Sequence, residues 1–311
     1  MAKRTKLLTI MAFLSASTAY ANSCDTVRFS DVGWTDITAT TALTTELLNG
    51  LGYQTKIQLL SVPVTFSAMA SGDVDVFLGN WMPTMEADIA QYREEGAVET
   101  VRANLEGAKY TLAVPKYVYD AGVKSFADLA KHADKFQGRI YGIEPGNDGN
   151  RLIQSMIDNN RFGLKDFKMV ESSEAGMVSQ VSRFARRNKW IVFLGWAPHP
   201  MNDKVEMKYL DGGDEIFGPN YGGANVYTNV RKNYLNECKN IGQLLKNLEF
   251  NLEIENELME AILNQDQTPS RAAIKWMKQH PDSVNQWLKN VTTRDGKDSK
   301  TALQAYLNSN V

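Results

Sequence analysis

The segment VDVFLGNWMP, residues 74–83, decides the fold class, because a predicted strand over Val74–Leu78 runs directly into Gly, Trp and Pro. A second segment, WIVFLGWAP at residues 190–198, repeats this pattern, and its Phe-Leu-Gly triplet lies 116 residues after the first one. The opening strands of the two halves, at residues 27 and 139, are 112 residues apart. These near-equal offsets predict two similar lobes, each with a tryptophan at the carboxyl end of a strand.

Outside these segments, strand patterns alternate with helical patterns, which predicts an α/β architecture. Val27–Ser30 and Lys56–Leu60 are predicted strands, and a helix over Thr38–Asn49 lies between them. With the strand quoted above they form the β-α-β-α-β start of a parallel sheet, whose ligands bind beyond the carboxyl ends of the strands. In the second half, Arg139–Ile143 is a predicted strand, followed by a Gly-rich turn and a helix from about Asn150.

The last third of the chain has helical patterns that predict structural roles. Ile241–Gln265 is predicted to form one helix with a leucine face. Thr268 and Pro269 are predicted at the N-cap and the first position of the next helix. Further apolar residues recur at helical spacing and are predicted to be buried in the core: Trp276, Met277, Val284, Trp287 and Leu288.

Composition and charge exclude several classes of protein. Of the 311 residues, 43% are hydrophobic and 23% are charged, which is typical of globular proteins and not of disordered, fibrous or polytopic membrane proteins. The 34 basic and 36 acidic residues give a net charge of −2. We therefore expect no general attraction to nucleic acid.

The first 21 residues have the pattern of a secretory signal peptide. Basic residues and an apolar stretch, Leu7–Leu14, precede an A-x-A site that ends at Ala21, where we expect cleavage. The apolar stretch is about half the ~20 residues of a membrane-spanning helix, so it predicts export. In an oxidising compartment the only two cysteines, Cys24 and Cys238, most simply form a disulfide, and two buried thiols are the alternative.

Motifs for catalysis or metal binding are scarce. The histidines at 132, 199 and 280 lack metal-ligand spacing, and His199, between two prolines, is predicted to be a hydrogen-bonded loop residue. The chain has no G-x-S-x-G, P-loop or dinucleotide-binding motif. GGDEIF, residues 212–217, carries one Ile more than the GGDEF signature of diguanylate cyclases, and we interpret it as a turn with solvated acids. We expect no catalysis, no bound metal and no cofactor.

Three tryptophans stand where a ligand site is expected. Trp34, Trp81 and Trp196 each follow a predicted strand, in turns flanked by Thr, Asp or Pro. One such residue is equally explained by packing, but three at strand ends that face one crevice indicate a binding box. Converging ring faces suit a cation without hydrogen-bond donors, such as a quaternary ammonium, and each ring contributes roughly 0.5–2 kcal/mol. A sugar stacked on an indole is the alternative, but it needs more planar polar partners than these turns offer.

The segments GWTD (33–36), LGNWMP (78–83) and LGWAPHPM (194–201) resemble the periplasmic substrate-binding proteins of quaternary-amine ABC importers, the glycine betaine/choline class. The resemblance covers nearly all of the chain after the signal peptide. It implies a type II two-lobe α/β binding protein, each lobe a mostly parallel sheet flanked by helices, with the ligand in the cleft. It also implies a set of functional residues: a box of Trp34, Trp81, Tyr110 and Trp196, the polar partners Asp36 and Asn147, and a disulfide between Cys24 and Cys238.

Asp36 favours choline within this class of ligands. The carboxylate of glycine betaine would meet a like charge there, whereas choline is a cation with a hydroxyl that can donate to Asp36. An acid in the first turn of a helix also has a purely structural explanation. The predicted function is capture of choline, with weaker binding of acetylcholine or betaine, for delivery to an ABC permease in the inner membrane. The alternatives are a glycine betaine or proline betaine-binding protein and an exported choline-ester hydrolase.

The predicted organisation comprises a signal peptide at residues 1–21 and two lobes, one formed by residues 22–110 with 204–311 and the other by 111–203. Two crossover strands at the lobe boundaries are expected to form a hinge, and closure about the ligand gives the importer a recognisable liganded form. We expect a periplasmic monomer without a nucleic-acid partner.

Overall fold

The computed structural model describes residues 24–310, so the predicted signal peptide lies outside the described residues. The described chain forms one curled sheet with the strand order β2-β1-β3-β9-β4-β7-β5-β6, and β8 also pairs with β4. Its strands are β1 (Thr26–Asp31), β2 (Gln54–Leu59), β3 (Val76–Met82), β4 (Val98–Pro115), β5 (Arg139–Tyr141), β6 (Lys168–Val170), β7 (Phe193–Ala197), β8 (Met207–Tyr209) and β9 (Gly223–Arg231).

Helices flank this sheet. The helices of the first 200 residues are α1 (Thr35–Gly50), α2 (Val62–Ser71), α3 (Glu86–Glu94), α4 (Lys116–Asp120), α5 (Phe126–Leu129), α6 (Asp148–Asp158) and α7 (Glu174–Ala185). The later helices are α8 (Met201–Lys204), α9 (Asp214–Phe217), α10 (Pro219–Gly222), α11 (Tyr234–Glu237), α12 (Lys239–Asn247), α13 (Leu252–Leu263), α14 (Pro269–Gln279), α15 (Pro281–Trp287) and α16 (Ser299–Ser309). In the described part of the chain, no helix has the length and apolar character needed to cross a membrane.

The first half has the predicted β-α-β-α-β order. Strand β1 pairs in parallel with both β2 and β3, and α1 and α2 connect them. In the second half, β5 pairs in parallel with β6 and β7. The α/β prediction is therefore confirmed, and the predicted strands of both halves are present with ends shifted by a few residues.

Strand β4 belongs to both halves of the sheet. Its residues Val98–Lys109 pair antiparallel with β9, and Lys109–Ala113 pair antiparallel with β7. Its last residues, Ala113–Pro115, pair with β8. The predicted lobe ranges stay a prediction, and the pairing of β8 with this end of β4 favours a second crossing after Tyr209 rather than at residue 203.

The predicted single helix over Ile241–Gln265 is two helices, α12 and α13. The chain breaks between them because the backbone N–H of Phe250 donates to the carbonyl of Asn104 instead of to its own helix. Asn251 then caps α13, since its side chain accepts a hydrogen bond from the N–H of Ile254 over 2.9 Å. A contact with β4 therefore overrides the continuous helical pattern.

The helices of the C-terminal third pack against α1 and form an apolar core with β1 and β3. The five residues predicted from helical spacing to be core, Trp276 among them, are all buried in it. Thr268 caps α14 as predicted, accepting from the N–H of Arg271. Cys24 and Cys238 form a disulfide with their Cα atoms 5.5 Å apart, so the predicted pairing is present.

Candidate ligand-binding site

Four aromatic side chains from four elements meet around one cavity. Trp34 is the N-cap residue of α1, three residues after the end of β1, and Trp81 lies near the carboxyl end of β3. Tyr110 on β4 and Trp196 on β7 are directly paired across the two strands. All four side chains are buried. The structure thus brings the four predicted box residues together, and their role in ligand binding stays a prediction.

The cavity is small: the centre of a water-sized sphere can occupy about 20 Å³ of it, far less than in the pockets that hold drug-sized ligands. The ring centroids of Trp81 and Tyr110 are 5.9 Å apart, with 57° between the ring planes. An enclosure of this kind suits a small ligand with apolar surface and a positive charge. The lining residues are Trp34, Asp36, Trp81, Tyr110, Ile143, Asp148 and Trp196.

Trp81 and Trp196 lie inside strands and not in the turns predicted for them. Strand β3 continues to Met82 and β7 to Ala197, because each keeps an antiparallel partner strand up to that residue. In both segments the peptide bond that precedes the following proline is cis. Only Trp34, of the three tryptophans, lies between a strand and a helix as predicted.

Asp36 lies in the first turn of α1 and faces the cavity. Its side chain is 1% exposed, and its Oδ2 accepts a hydrogen bond from Trp81 Nε1 over 3.2 Å. Its Oδ1 has no hydrogen-bond partner among the described residues. Burial raises the pKa of Asp36, and the negative charge of Glu174 raises it further. This carboxyl group therefore combines a fixed orientation with a free acceptor atom.

Asp148 is a second acid of the cavity wall, and it was not among the residues predicted from the sequence. It is the first residue of α6, is fully buried, and accepts a hydrogen bond from Asn147 Nδ2 over 3.2 Å. Burial raises its pKa to about 6. The one feature of the sequence that could have identified Asp148 is its position next to Asn147 in the Gly-rich turn. Among residues 24–310, no group of three or more His, Cys, Asp or Glu side chains is arranged to hold a metal ion.

Asn147 lies beside the box rather than in the cavity wall. Its Oδ1 accepts hydrogen bonds from the hydroxyl of Tyr110 over 2.8 Å and from the backbone N–H of Asn150 over 3.1 Å. One side chain therefore caps α6 and fixes the Tyr110 ring. The direct ligand contact that the family resemblance implies for Asn147 stays a prediction.

Two further residues shape the Tyr110 position, and neither was predicted. Phe217, fully buried in the GGDEIF segment, packs edge-on against Tyr110 with a centroid distance of 6.1 Å. Asp214 and Glu215 of that segment are exposed, so the predicted solvated acids are confirmed, although the residues form a short helix.

Gly149 is the second residue that shapes the position of Tyr110. A Cβ on Gly149 would lie 2.1 Å from the Tyr110 hydroxyl, so this position needs glycine for the ring to reach α6.

Two glutamates of the second half contact the start of α1. Trp34 Nε1 donates to Glu144, and the backbone N–H and hydroxyl of Thr35 donate to Glu174. His199 Nε2 lies 2.9 Å from Glu174 Oε1, and its Nδ1 accepts from a backbone N–H. His199 is therefore the hydrogen-bonded loop residue that the sequence predicted.

Comparisons with known proteins agree with this geometry. Residues 25–279 match the family described as the substrate binding domain of ABC-type glycine betaine transport system. The structure is similar to an ABC-transporter choline binding protein in complex with choline, with a TM-score of 0.90 and 58% identity, covering 92% of this chain and 99% of that one. The unliganded semi-closed conformation of an ABC-transporter choline binding protein gives a TM-score of 0.85 at the same identity and coverage.

Lactococcal OpuAC, in its closed-liganded conformation complexed with glycine betaine, is 28% identical, with a TM-score of 0.76 over 84% of this chain and 98% of that one. These neighbours share the two-lobe α/β fold, so the predicted fold and the predicted family resemblance are both confirmed. The family match covers most of the chain, from the first described strand to α14. The chain belongs to the family of substrate-binding domains of ABC-type glycine betaine transport systems.

Proposed function

We propose that this protein captures choline in the aromatic cavity and delivers it to an ABC permease in the inner membrane. The observation that carries the proposal is the enclosure of one cavity by four aromatic rings and two buried carboxyl groups. A quaternary ammonium group presents methyl surface and positive charge but no donor, so it gains cation–π and apolar contacts without needing an acceptor. The choline complex of the 58% identical neighbour supports the same ligand class.

Asp36 and Asp148 provide the charge that balances the cation. Two buried carboxylates are unfavourable in a closed cavity without a counter-charge, and a bound cation removes that penalty by stabilising their ionised forms. A betaine brings its own carboxylate into the same space and loses part of this gain. The hydroxyl of choline, in contrast, donates to a carboxylate oxygen. Choline is therefore the preferred ligand, and glycine betaine or proline betaine is the alternative.

The proposed ligand-binding residues keep the predicted set and add one member. The rings hold the ammonium group, Asp36 offers its unpartnered Oδ1, and Asp148 supplies a second negative charge. Asn147 acts on the ligand at least through Tyr110, whose hydroxyl it fixes. The full proposed set is Trp34, Asp36, Trp81, Tyr110, Asn147, Asp148 and Trp196.

Delivery rests on closure of two lobes about the ligand. The proposed first lobe contains residues 22–110 with the segment from about 210 to 311, and the second contains the residues between them. The permease recognises the closed form, and the protein works as an exported monomer after cleavage at Ala21. The family membership supports a role in transport.

An exported choline-ester hydrolase would use the same aromatic box. Such an enzyme needs an activated nucleophile, and no Ser, Cys, Lys or His is among the described residues that line the cavity. Incubation with acetylcholine, followed by measurement of released acetate, separates the two functions. We expect binding without release of acetate, and turnover above an Asp36→Asn control would contradict the proposal.

Calorimetric titration tests the ligand itself. Choline, glycine betaine, proline betaine and carnitine are titrated into the mature protein at fixed salt and pH. We expect choline to bind most tightly, with micromolar affinity or better from four rings that contribute roughly 0.5–2 kcal/mol each. Tighter binding of glycine betaine than of choline would identify a betaine-binding protein instead. If no quaternary amine bound, both the choline-binding and the betaine-binding functions would be rejected.

A further inference from the structure

The first turn of α1 has no side-chain cap of its own. Its N-cap residue is Trp34, which cannot accept a hydrogen bond from the helix N–H groups and makes no side-chain cap. The residue that fills this role comes from far along the chain. Glu174 Oε2 accepts from the backbone N–H of Thr35 over 2.9 Å, and Glu174 Oε1 accepts from the Thr35 hydroxyl over 2.7 Å.

The same carboxylate is held on its other side by His199. The backbone N–H of Met201 donates to His199 Nδ1 over 2.9 Å, which leaves the ring proton on Nε2 to donate to Glu174 Oε1. The His199 ring in turn packs edge-on against Trp196, with a centroid distance of 4.9 Å. Glu174 therefore contacts Thr35, the neighbour of the box residue Trp34, on one side. On the other side it contacts His199, which packs against the box residue Trp196.

Glu174 does not line the cavity, yet it is only 6% exposed and its charge acts on Asp36, one of the two acids that do. Its negative charge contributes, after burial, to the raised pKa values of Asp36 and Glu144. An empty closed cavity thus gathers like charges, and a cation in the box compensates them. A bound cation therefore favours the closed arrangement, in which Glu174 contacts Thr35.

We propose that Glu174 is a positioning residue that holds the two lobes together in the liganded protein, by capping α1 across the cleft. This inference rests on the proposed function, because closure is defined here by a quaternary ammonium in the box. When the lobes separate, Glu174 keeps His199 and loses Thr35, and the start of α1 becomes uncapped. The carboxylate thereby slows release of the ligand without touching it.

The test measures choline association and dissociation by stopped-flow tryptophan fluorescence, together with melting temperatures with and without choline. Glu174→Gln keeps an acceptor for His199 but loses charge-assisted hydrogen bonds to Thr35. We expect its dissociation rate constant to rise roughly tenfold, with the association rate constant unchanged. The melting temperature of the ligand-free protein stays the same, and the increase caused by choline becomes smaller.

Thr35→Val is the second variant, because it removes one of these hydrogen bonds without changing any charge or the His199 contact. We expect faster dissociation here too, and no further effect when it is added to Glu174→Gln. Asp298→Ala is the matched control, since Asp298 caps α16 within one lobe. It should lower both melting temperatures equally and leave the dissociation rate unchanged.

Two results would overturn the inference, and they are distinguishable. If the wild-type protein binds no quaternary amine, the proposed function fails and this inference fails with it. If the wild-type protein binds choline but Glu174→Gln and Thr35→Val dissociate at the wild-type rate, only the role of Glu174 is rejected.

Discussion

The indole Nε1–H of Trp81 donates a hydrogen bond to Oδ2 of Asp36 over 3.2 Å, which fixes a ring of the box to the acid beside it. The second oxygen of Asp36 has no partner among the described residues and remains available to a ligand. A single carboxyl group thus orients one wall of the cavity and offers a ligand a free acceptor atom. This pair makes ligand selectivity testable by one substitution.

Asp36→Asn changes the charge and keeps an acceptor for Trp81. We expect it to weaken choline binding and to weaken glycine betaine binding less, or even improve it, because the repulsion of the betaine carboxylate is removed. Like-charge contacts in a partly dry site cost several kcal/mol, so the ratio of choline to betaine affinity should fall at least about tenfold. Calorimetry at fixed salt and pH gives this ratio. An unchanged ratio would show that Asp36 only stabilises the start of α1 and does not select the ligand.

Alanine at Trp34, Trp81, Tyr110 or Trp196 should weaken choline binding by ~1–3 kcal/mol, through loss of cation–π and apolar contacts. Trp276→Ala is the control, because Trp276 is buried in the C-terminal core and stacks on Trp287 at 5.6 Å. It should lower the melting temperature and leave the affinity of the folded protein unchanged. The assignment of Trp81 to the ligand site and of Trp276 to the core would be wrong if Trp276→Ala lost choline binding at an unchanged melting temperature while Trp81→Ala kept its affinity.

The affinity for choline should depend on pH more steeply than the affinity for glycine betaine. Burial raises the pKa of Asp148 to about 6 and also raises that of Asp36. A bound cation favours the ionised acids and lowers these pKa values, so choline binding releases protons and tightens as the pH rises. The carboxylate of glycine betaine offsets part of the effect of its ammonium group, so its affinity changes less over the same interval.

Calorimetry from about pH 5 to about pH 8, in two buffers of different ionisation enthalpy, measures both the affinities and the protons released. Asp148→Asn is the informative variant, because it removes the group whose pKa lies near 6. A choline affinity that stays constant across this interval in the wild-type protein would show that neither acid changes its ionisation on binding.

Phe217→Ala should loosen the box without removing a ligand contact, because Phe217 packs on Tyr110 and lies outside the cavity wall. Truncation of a fully buried Phe costs about 3–5 kcal/mol of stability, so we expect a lower melting temperature together with weaker choline binding. Phe217→Leu restores much of the volume and should recover part of the affinity. Wild-type affinity in folded Phe217→Ala would show that Tyr110 needs no such support.

The disulfide between Cys24 and Cys238 should stabilise the exported protein by ~2–5 kcal/mol, mainly by constraining the unfolded chain. Thiol titration under denaturing conditions should find no free thiol in material purified from the periplasm. The double variant Cys24→Ser with Cys238→Ser should unfold at lower denaturant concentration and bind choline with unchanged affinity. Two free thiols in the wild-type protein would contradict the prediction.

Much of the fold was predictable because its signals are local. The alternation of strands and helices, the cap at Thr268 and the buried face around Trp276 all follow from spacing within short segments. The error over Ile241–Gln265 arose because a backbone hydrogen bond to Asn104, far away in sequence, ends the helix. Long-range contacts of this kind leave no mark in a local pattern.

The residues of the site also fall into those that a local sequence pattern predicts and those that it does not. The sequence by itself marked Trp34, Trp81 and Trp196, since each follows a strand signal and precedes a turn or a helix. Tyr110 came only from the family resemblance, because it lies inside the 18-residue strand β4 with no local feature to distinguish it. Asp148 and Phe217 were missed.

The tertiary structure alone decided which of these side chains share a cavity. Tyr110 meets Trp196 through strand pairing, and Glu174 reaches Thr35 over 139 positions of sequence. Periodicity reports which face of an element is buried, but the partner buried against it depends on how the strands pair and how closely the two halves approach. The sequence therefore determined the kind of residues at the site, and packing determined their arrangement.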